Sequence, residues 1–151
     1  MTEQTVSKLA AYMLPADPQK ILLPAEVVVD VTSVSTMIPV SKKPSWFLGK
    51  LGWQGRTLPL VAFNRLNSED ARLGQIRYAA VIRTRNVSEE LPLFAIALSS
   101  PGRELEISRV DLKPKLGMKT EASMSVADFG GDTLYIPDID YIESRVAEEQ
   151  T

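Results

Sequence analysis

Residues 38–63, IPVSKKPSWFLGKLGWQGRTLPLVAF, contain both tryptophans of the chain together with three glycines and three prolines. Large aromatic side chains in a segment so rich in turn-forming residues must pack in a core or bind something, because exposing their rings to water is unfavourable. The apolar run at residues 57–63 predicts a buried strand, and Leu51 and Trp53 predict a second strand. Between them, Gln54-Gly55-Arg56 predicts a turn in which glycine supplies a positive φ. The segment holds neither a nucleophile with a base nor a set of metal ligands, so it predicts a shaped surface.

The remainder of the chain predicts an all-β fold. Short segments rich in β-branched and aromatic residues alternate with turn signals, which predicts about nine strands in a barrel or sandwich. Residues 46–48 are expected to form one helical turn closed by Gly49, and Ser108 is expected to face water. Asp138 is expected to cap a C-terminal helix that carries apolar residues at helical spacing. The remaining predicted extended segments are residues 6–14, 20–23, 27–38, 78–84, 91–98, 105–107, 124–129 and 133–136.

Length and composition restrict the possible classes of protein. The 151 residues predict a single domain, or two small units that share a core, at residues 6–146, with a flexible start at residues 1–5 and a tail at residues 147–151. The absence of cysteine and histidine excludes thiol catalysis, disulfides, histidine bases and zinc sites with those ligands. A net charge of −2 with scattered basic residues argues against nucleic-acid binding. No apolar run predicts a membrane span or a signal peptide, so we expect a cytoplasmic protein without direct membrane insertion.

The carboxylates Asp138, Asp140 and Glu143 are the main candidates for chemistry. They lie close in sequence to two tyrosines and offer the oxygen ligands that a divalent ion prefers, which leaves a metal or small-molecule site as the alternative function. The competing interpretation, which we favour, is a helix N-terminus where negative charge is stabilised by the helix dipole.

Two further patterns near residues 41–55 are poor candidates for catalysis or cofactor binding. A Ser-Lys pair could be drawn from Ser41, Lys42, Lys43 and Ser45, but no nucleophile elbow accompanies them. The spacing of the three glycines at residues 49–55 does not follow a strand and open a long helix, so it does not predict a dinucleotide site. We therefore expect no catalytic residues and no cofactor.

Trp46 and Trp53 have two interpretations that the residues leave open. Either indole could fill the core of a small barrel, where it needs only a partner for its N–H. Either could instead anchor a protein interface, since tryptophan is enriched among residues that dominate binding energies.

The order of these motifs resembles the CheW-like domain of bacterial chemosensory adaptors. The resemblance extends over residues 6–146 and is most specific in the spacing of Gly49, Gly55 and Pro59. The matching segments are PAEVVVDV at residues 24–31, PSWF at residues 44–47, GKLGWQGRTLPLVAF at residues 49–63 and IPDIDYI at residues 136–142.

The resemblance implies both a fold and a function. The fold would be two interlocked, small, five-stranded SH3-like β-barrels with a shared core and a C-terminal helix. The function would be that of a non-enzymatic scaffold that links chemoreceptor cytoplasmic tips to a histidine kinase through the CheW-like regulatory domain of that kinase. The resemblance implies that the kinase is contacted at Val28, Asp30 and Gly49 and the receptor at Gln54. Trp46, Trp53 and Arg56 are the other positions expected to contact a protein partner.

This chain also departs from the family pattern. Gln54 stands where the family has an arginine in the receptor-contacting region, and an amide cannot replace the five donors and the permanent charge of a guanidinium. Arg56, two residues later, could substitute only if the turn redirects it. Gly52 and Ala62 stand where the family has asparagine and aspartate. From this divergence we form the hypothesis that the adaptor serves a pilus-motility array.

Overall fold

The computed structural model describes residues 8–35, 37–84, 93–115, 117–118 and 120–149. This part of the chain contains twelve strands, two α-helices and two single 3-10 turns. The strands are β1 (Lys8–Ala16), β2 (Gln19–Pro24), β3 (Val28–Ser33), β4 (Met37–Ile38), β5 (Phe47–Trp53), β6 (Arg56–Val61), β7 (Tyr78–Arg83), β8 (Leu93–Leu98), β9 (Arg103–Ser108), β10 (Lys113–Pro114), β11 (Ser123–Phe129) and β12 (Asp132–Pro137). The helices are α1 (Phe63–Asn67) and α2 (Ile139–Glu148), and the 3-10 turns are Ala25–Val27 and Arg109–Asp111.

The described strands form two sheets of six strands each. Sheet I has the order β10-β11-β12-β2-β1-β9, and sheet II has the order β3-β7-β8-β6-β5-β4. The N-terminal hairpin β1–β2 therefore belongs with the last four strands, and the middle of the chain forms the other sheet. This arrangement confirms the prediction of two interlocked β-barrel-like subdomains with a C-terminal helix. Each sheet has one strand more than the five expected, and in each case a two-residue strand forms one edge.

The central strands of each sheet are buried on both faces, because each sheet borders two cores. Successive side chains point to opposite faces of a strand, so in sheet II Leu60 and Ala95 fill a small local core while Val61 and Ile96 enter a core shared by both sheets. In sheet I, Leu22 likewise belongs to a local core. The shared core accounts for the continuous apolar runs in the central strands. Its largest fully buried side chains are Trp46, Phe63, Phe94, Leu14, Ile21, Leu23, Ile82, Ile96 and Leu98.

Helix α1 joins the two subdomains through two asparagines. The Asn64 side-chain Nδ2 donates to the carbonyl oxygens of Ala16 at 2.8 Å and Asp17 at 2.7 Å, in the turn between β1 and β2. One helical turn later, Asn67 Oδ1 accepts a hydrogen bond from the backbone N–H of Ala122 at 3.0 Å. Because α1 follows a strand of sheet II and its three partners lie in or next to strands of sheet I, the helix links the two sheets.

Two local predictions in residues 46–63 are wrong. The predicted helical turn at residues 46–48 is instead the start of β5, which begins at Phe47 and pairs with Val61 across the hairpin. Trp46 also enters this pairing, since its carbonyl accepts from the N–H of Ala62 at 2.8 Å. Phe63, predicted to end a strand, begins α1 and is buried. In the first case, pairing with the other strand of the hairpin outweighs the local pattern.

Other predictions differ at single residues or strand ends. Ser108 was expected to face water but is buried. Its N–H and hydroxyl both donate to Asp111 Oδ2, at 3.1 and 3.0 Å, which offsets the cost of burying them. Helix α2 extends to Glu148, into the segment predicted as a tail. The predicted start at residues 1–5, residues 6–7 of the first predicted strand, residue 36 of the segment 27–38 and residues 91–92 of the segment 91–98 lie outside the described residues.

Candidate interaction surface

The tip of the β5–β6 hairpin is a two-residue turn made by Gln54 and Gly55. Trp53 pairs with Arg56 on either side of it, and the φ angles at the tip are 46° for Gln54 and 74° for Gly55. Positive φ at both central residues is the requirement of a type I′ turn, whose twist matches the twist of the two strands. The hairpin thus exposes Gln54 and Arg56 side by side at one end of sheet II.

The backbone of this turn can be tested by substitution. We expect Gln54→Asn to raise the free energy of unfolding by about 0.5–1 kcal/mol, because asparagine adopts the left-handed conformation more readily than glutamine. Gly55→Ala is expected to lower it by about 1–2 kcal/mol. Urea denaturation followed by tryptophan fluorescence measures both changes.

The matched control for this pair of variants is Gly52→Ala. A Cβ at Gly52 or at Gly55 would have no other atom within 4 Å, so neither alanine variant would be crowded by its neighbours. Gly52 lacks a positive φ, and its alanine variant should be as stable as the wild type or slightly more stable. Equal destabilisation at the two glycines would contradict the proposed role of the turn.

A hydrogen bond from Trp53 to Asp30 connects the two ends of sheet II. Trp53 Nε1 donates to Asp30 Oδ2 at 2.9 Å. In the order of sheet II, β3 is one edge strand and β5 lies next to the other edge, so the bond bridges the two open sides. The half-buried indole is therefore held in one orientation by a residue 23 positions earlier in the chain.

The environment of Asp30 also involves sheet I. Burial raises the pKa of Tyr12 above its usual value of 10, and the negative charges of Glu104 and Asp30, with a hydrogen bond to Glu104, raise it further. Tyr12 is a residue of β1 and faces Glu104 of β9 across the strand pair. The phenol therefore stays neutral at physiological pH, and Asp30 lies where the two subdomains approach each other.

Gly49 lies beneath the short strand β4. A Cβ at this position would come within 2.6 Å of the carbonyl oxygen of Ile38 and 3.1 Å of Met37 Cγ. The backbones of β4 and β5 thus approach too closely for any side chain. The register between β5 and β6 also shifts between Phe47 and Gly49, which indicates a bulge at the same place.

Three apolar side chains are exposed on the two edge strands of sheet II. Val29 on β3 is 36% exposed, and Met37 and Ile38 on β4 are 43% and 44% exposed. We call Val29, Asp30, Met37, Ile38 and Trp53 the seam surface. The sequence reasoning missed the three apolar members, because nothing in their residue types distinguishes them from the buried valines and isoleucines nearby.

Trp46 lies away from this surface. Its side chain is 2% exposed, its ring centroid is 5.8 Å from that of Phe47, and the guanidinium of Arg145 from α2 lies 5.5 Å over its ring. Val28 is half-buried and packs against the shared core. Of the seven predicted contact positions, the structure therefore brings Asp30, Trp53, Gln54 and Arg56 together, and it places Trp46 in the core.

The three candidate carboxylates do not converge. Asp138 Oδ1 accepts from the backbone N–H of Tyr141 at 3.1 Å, which makes Asp138 the N-cap of α2 as the favoured interpretation predicted. Asp140 is exposed, whereas Glu143 is buried on the inner side of the helix. Among the described residues no group of three acidic, histidine or cysteine residues is placed to hold a metal ion. The geometry gives no support to the carboxylate-based alternative.

The candidate Ser-Lys residues have separate structural contacts. Ser45 Oγ donates to the carbonyl of Glu69 at 2.8 Å. Lys43 Nζ donates to the carbonyl of Glu149 at the C-terminus of α2 and lies 5.7 Å from the centroid of the Phe47 ring. A cation at this end of a helix is favoured by the helix dipole. The Lys43 contact holds the loop before β5 against α2, and the Ser45 contact holds it against the segment that follows α1.

Comparison with known proteins identifies the family. Residues 12–146 match the family model described as CheW-like domain, so the chain belongs to the CheW-like domain family. Members of this family are scaffold or adaptor proteins and not enzymes. This chain is therefore a non-enzymatic chemosensory adaptor. The resemblance inferred from the motifs is confirmed.

A solved structure has the same fold despite low sequence identity. The crystal structure of the scaffolding protein TtCheW from Thermoanaerobacter tengcongensis is similar with a TM-score of 0.72 at 10% identity, over 92% of this chain and 90% of that one. No curated protein matches the sequence. Neither described helix is long and apolar enough to cross a membrane.

Proposed function

We propose that the seam surface docks the CheW-like regulatory domain of a chemosensory histidine kinase. The observation that carries this proposal is the exposure of Val29, Met37 and Ile38 on β3 and β4, the two edge strands of sheet II that the fixed Trp53 ring lies between. Apolar side chains grouped at the surface are characteristic of protein contacts, and the centre of an interface is typically apolar and aromatic. The family resemblance independently assigns the positions of Val28, Asp30 and Gly49 to the kinase contact.

The hydrogen bond to Asp30 supports the role of Trp53 as an anchor. An aromatic ring already held in its bound orientation loses little conformational entropy when a partner covers it. Its polar atom is satisfied within the protein, so a partner needs to cover only the apolar ring. Trp53 therefore suits a position near the centre of the contact.

The tip of the β5–β6 hairpin is the proposed contact for the chemoreceptor cytoplasmic tip. Gln54 and Arg56 are both exposed there, and Arg56 lies directly opposite Trp53. The positive charge is thus moved from the turn, where the family has its arginine, to the first residue of β6. We infer that the receptor partner is recognised through the guanidinium of Arg56, two residues after the position where the family has its arginine.

A single substitution tests the proposed kinase contact. We expect Ile38→Ser to weaken binding to the cognate kinase regulatory domain about tenfold or more, because a partner would no longer bury the apolar side chain. Calorimetric titration against the regulatory domains of all chemosensory kinases of the source organism measures the affinity. Unchanged melting of the variant shows that the fold is retained.

The matched control for this test is Val110→Ser on the sheet I side. Val110 is 72% exposed and lies on a 3-10 turn away from the seam surface. Its substitution should leave the affinity unchanged. Equal weakening by the two variants, or wild-type affinity in the Ile38 variant, would refute the assignment of the seam surface.

The setting of the adaptor is proposed from its divergence. We propose a cytoplasmic protein recruited to receptor arrays at the inner membrane, in a pilus-motility pathway rather than a flagellar one. The replacement of the family arginine by Gln54 supports a receptor set that differs from the usual one. Affinity purification from the source organism tests this setting, and co-purification with only the flagellar kinase would contradict it.

A further inference from the structure

A small cavity lies where the β1–β2 turn of sheet I meets sheet II. Its volume open to the centre of a water molecule is ≈ 10 Å³. This is about the space that one water molecule occupies. The residues that matter for its chemistry are Asp17, Asn64 and Ser99, which line it together with apolar side chains such as Leu73 and Ile76.

The orientation of the Asn64 amide is fixed by its hydrogen bonds. Both hydrogens of Nδ2 are used, one on the carbonyl of Ala16 and one on the carbonyl of Asp17. A flipped amide would place its oxygen against two carbonyl oxygens, which repel it. The Oδ1 atom must therefore point the other way, where it is buried and has no hydrogen-bond partner among the described residues.

We propose that one ordered water molecule occupies this cavity and donates a hydrogen bond to Asn64 Oδ1. A buried acceptor without a donor is costly, whereas a water can satisfy it and use its remaining bonds on other polar groups. Asp17 and Ser99 line the same cavity, and each carries a side-chain oxygen able to take up a further bond of the water. Asp17 belongs to the β1–β2 turn of sheet I, and Ser99 follows β8 of sheet II. The water therefore bridges polar groups of the two subdomains.

A high-resolution crystal structure of the full chain tests the proposal directly. We expect a density peak at a normal hydrogen-bond distance from Asn64 Oδ1, about 2.7–3.2 Å. Amide protons that line the cavity should also show cross-peaks to a long-lived water in NMR exchange experiments. An empty cavity would overturn the proposal, as would a peak with the shorter distances and several oxygen ligands of a metal ion.

The variant Asn64→Leu separates binding by Oδ1 from simple filling of space. Leucine has nearly the same size and lacks both the donor and the acceptor. The water peak should be absent from its crystal structure, and a peak that persists at the same place would overturn the role of Oδ1. If the variant does not fold, the wild-type density and NMR measurements decide the question.

Discussion

Trp46→Ala is expected to lower the free energy of unfolding by about 3–5 kcal/mol, the range for deleting a large buried aromatic side chain. The ring is 2% exposed within the core shared by both sheets and α2. Its removal would leave a cavity bordered by Phe47 and by the guanidinium of Arg145. Urea denaturation at neutral pH, followed by circular dichroism, measures the loss.

The same truncation at Trp53 provides the comparison. Trp53→Ala removes a half-buried ring and the bond to Asp30, so we expect a smaller loss of stability and a larger loss of partner binding. Trp46→Ala, measured at a temperature where it remains folded, should bind the partner with wild-type affinity. If the folded Trp46→Ala variant bound the partner more weakly than the wild type, Trp46 would have to be assigned to the interface.

Asn64→Ala is expected to lower the free energy of unfolding by about 2–4 kcal/mol. The substitution removes two hydrogen bonds to Ala16 and Asp17, and it leaves carbonyl oxygens near the junction of the two sheets without their donor. Unpaired buried acceptors keep their full desolvation cost, so the loss exceeds that of two exposed hydrogen bonds. Equilibrium denaturation by urea measures the change.

Two neighbours of Asn64 serve as controls. Asn67→Ala removes the hydrogen bond accepted from the N–H of Ala122 and a long bond of 3.5 Å donated to the carbonyl of Phe63, and should cost about 1 kcal/mol. Asp70→Ala lies on the exposed connection after α1 and should change stability by less than about 0.5 kcal/mol. A loss at Asn64 no larger than at Asp70 would show that the hydrogen bonds of Asn64 between the two subdomains add no stability.

Features that depend on neighbours in sequence could be predicted. The Gln54-Gly55 turn follows from the need for positive φ, and the cap by Asp138 follows from the N–H groups that every helix start leaves unpaired. The absence of cysteine and histidine restricted the chemistry without any structure. The glycine and proline spacing at residues 49–59 was sufficient to indicate the family.

The candidate surface could be predicted only in part. Asp30, Trp53, Gln54 and Arg56 were selected as separate positions, and no local pattern indicated that Trp53 bonds to Asp30. The exposure of Met37 and Ile38 could not be predicted from the sequence either, because a two-residue edge strand is defined only by its pairing with β5. Exposure depends on which strands are neighbours, and that is a property of the whole sheet.

The sequence by itself determined the all-β class, the turns, the helix cap and the exclusion of thiol and histidine chemistry, because each depends on residue type and short-range geometry. Only the tertiary structure decided that Trp46 is core and that Trp53 lies at the surface. Both are tryptophans in one hairpin region, but Trp46 lies under α2 from the end of the chain, whereas Trp53 reaches Asp30 on the far edge strand of sheet II. Their difference is set by contacts far apart in sequence, which side-chain chemistry and spacing do not specify.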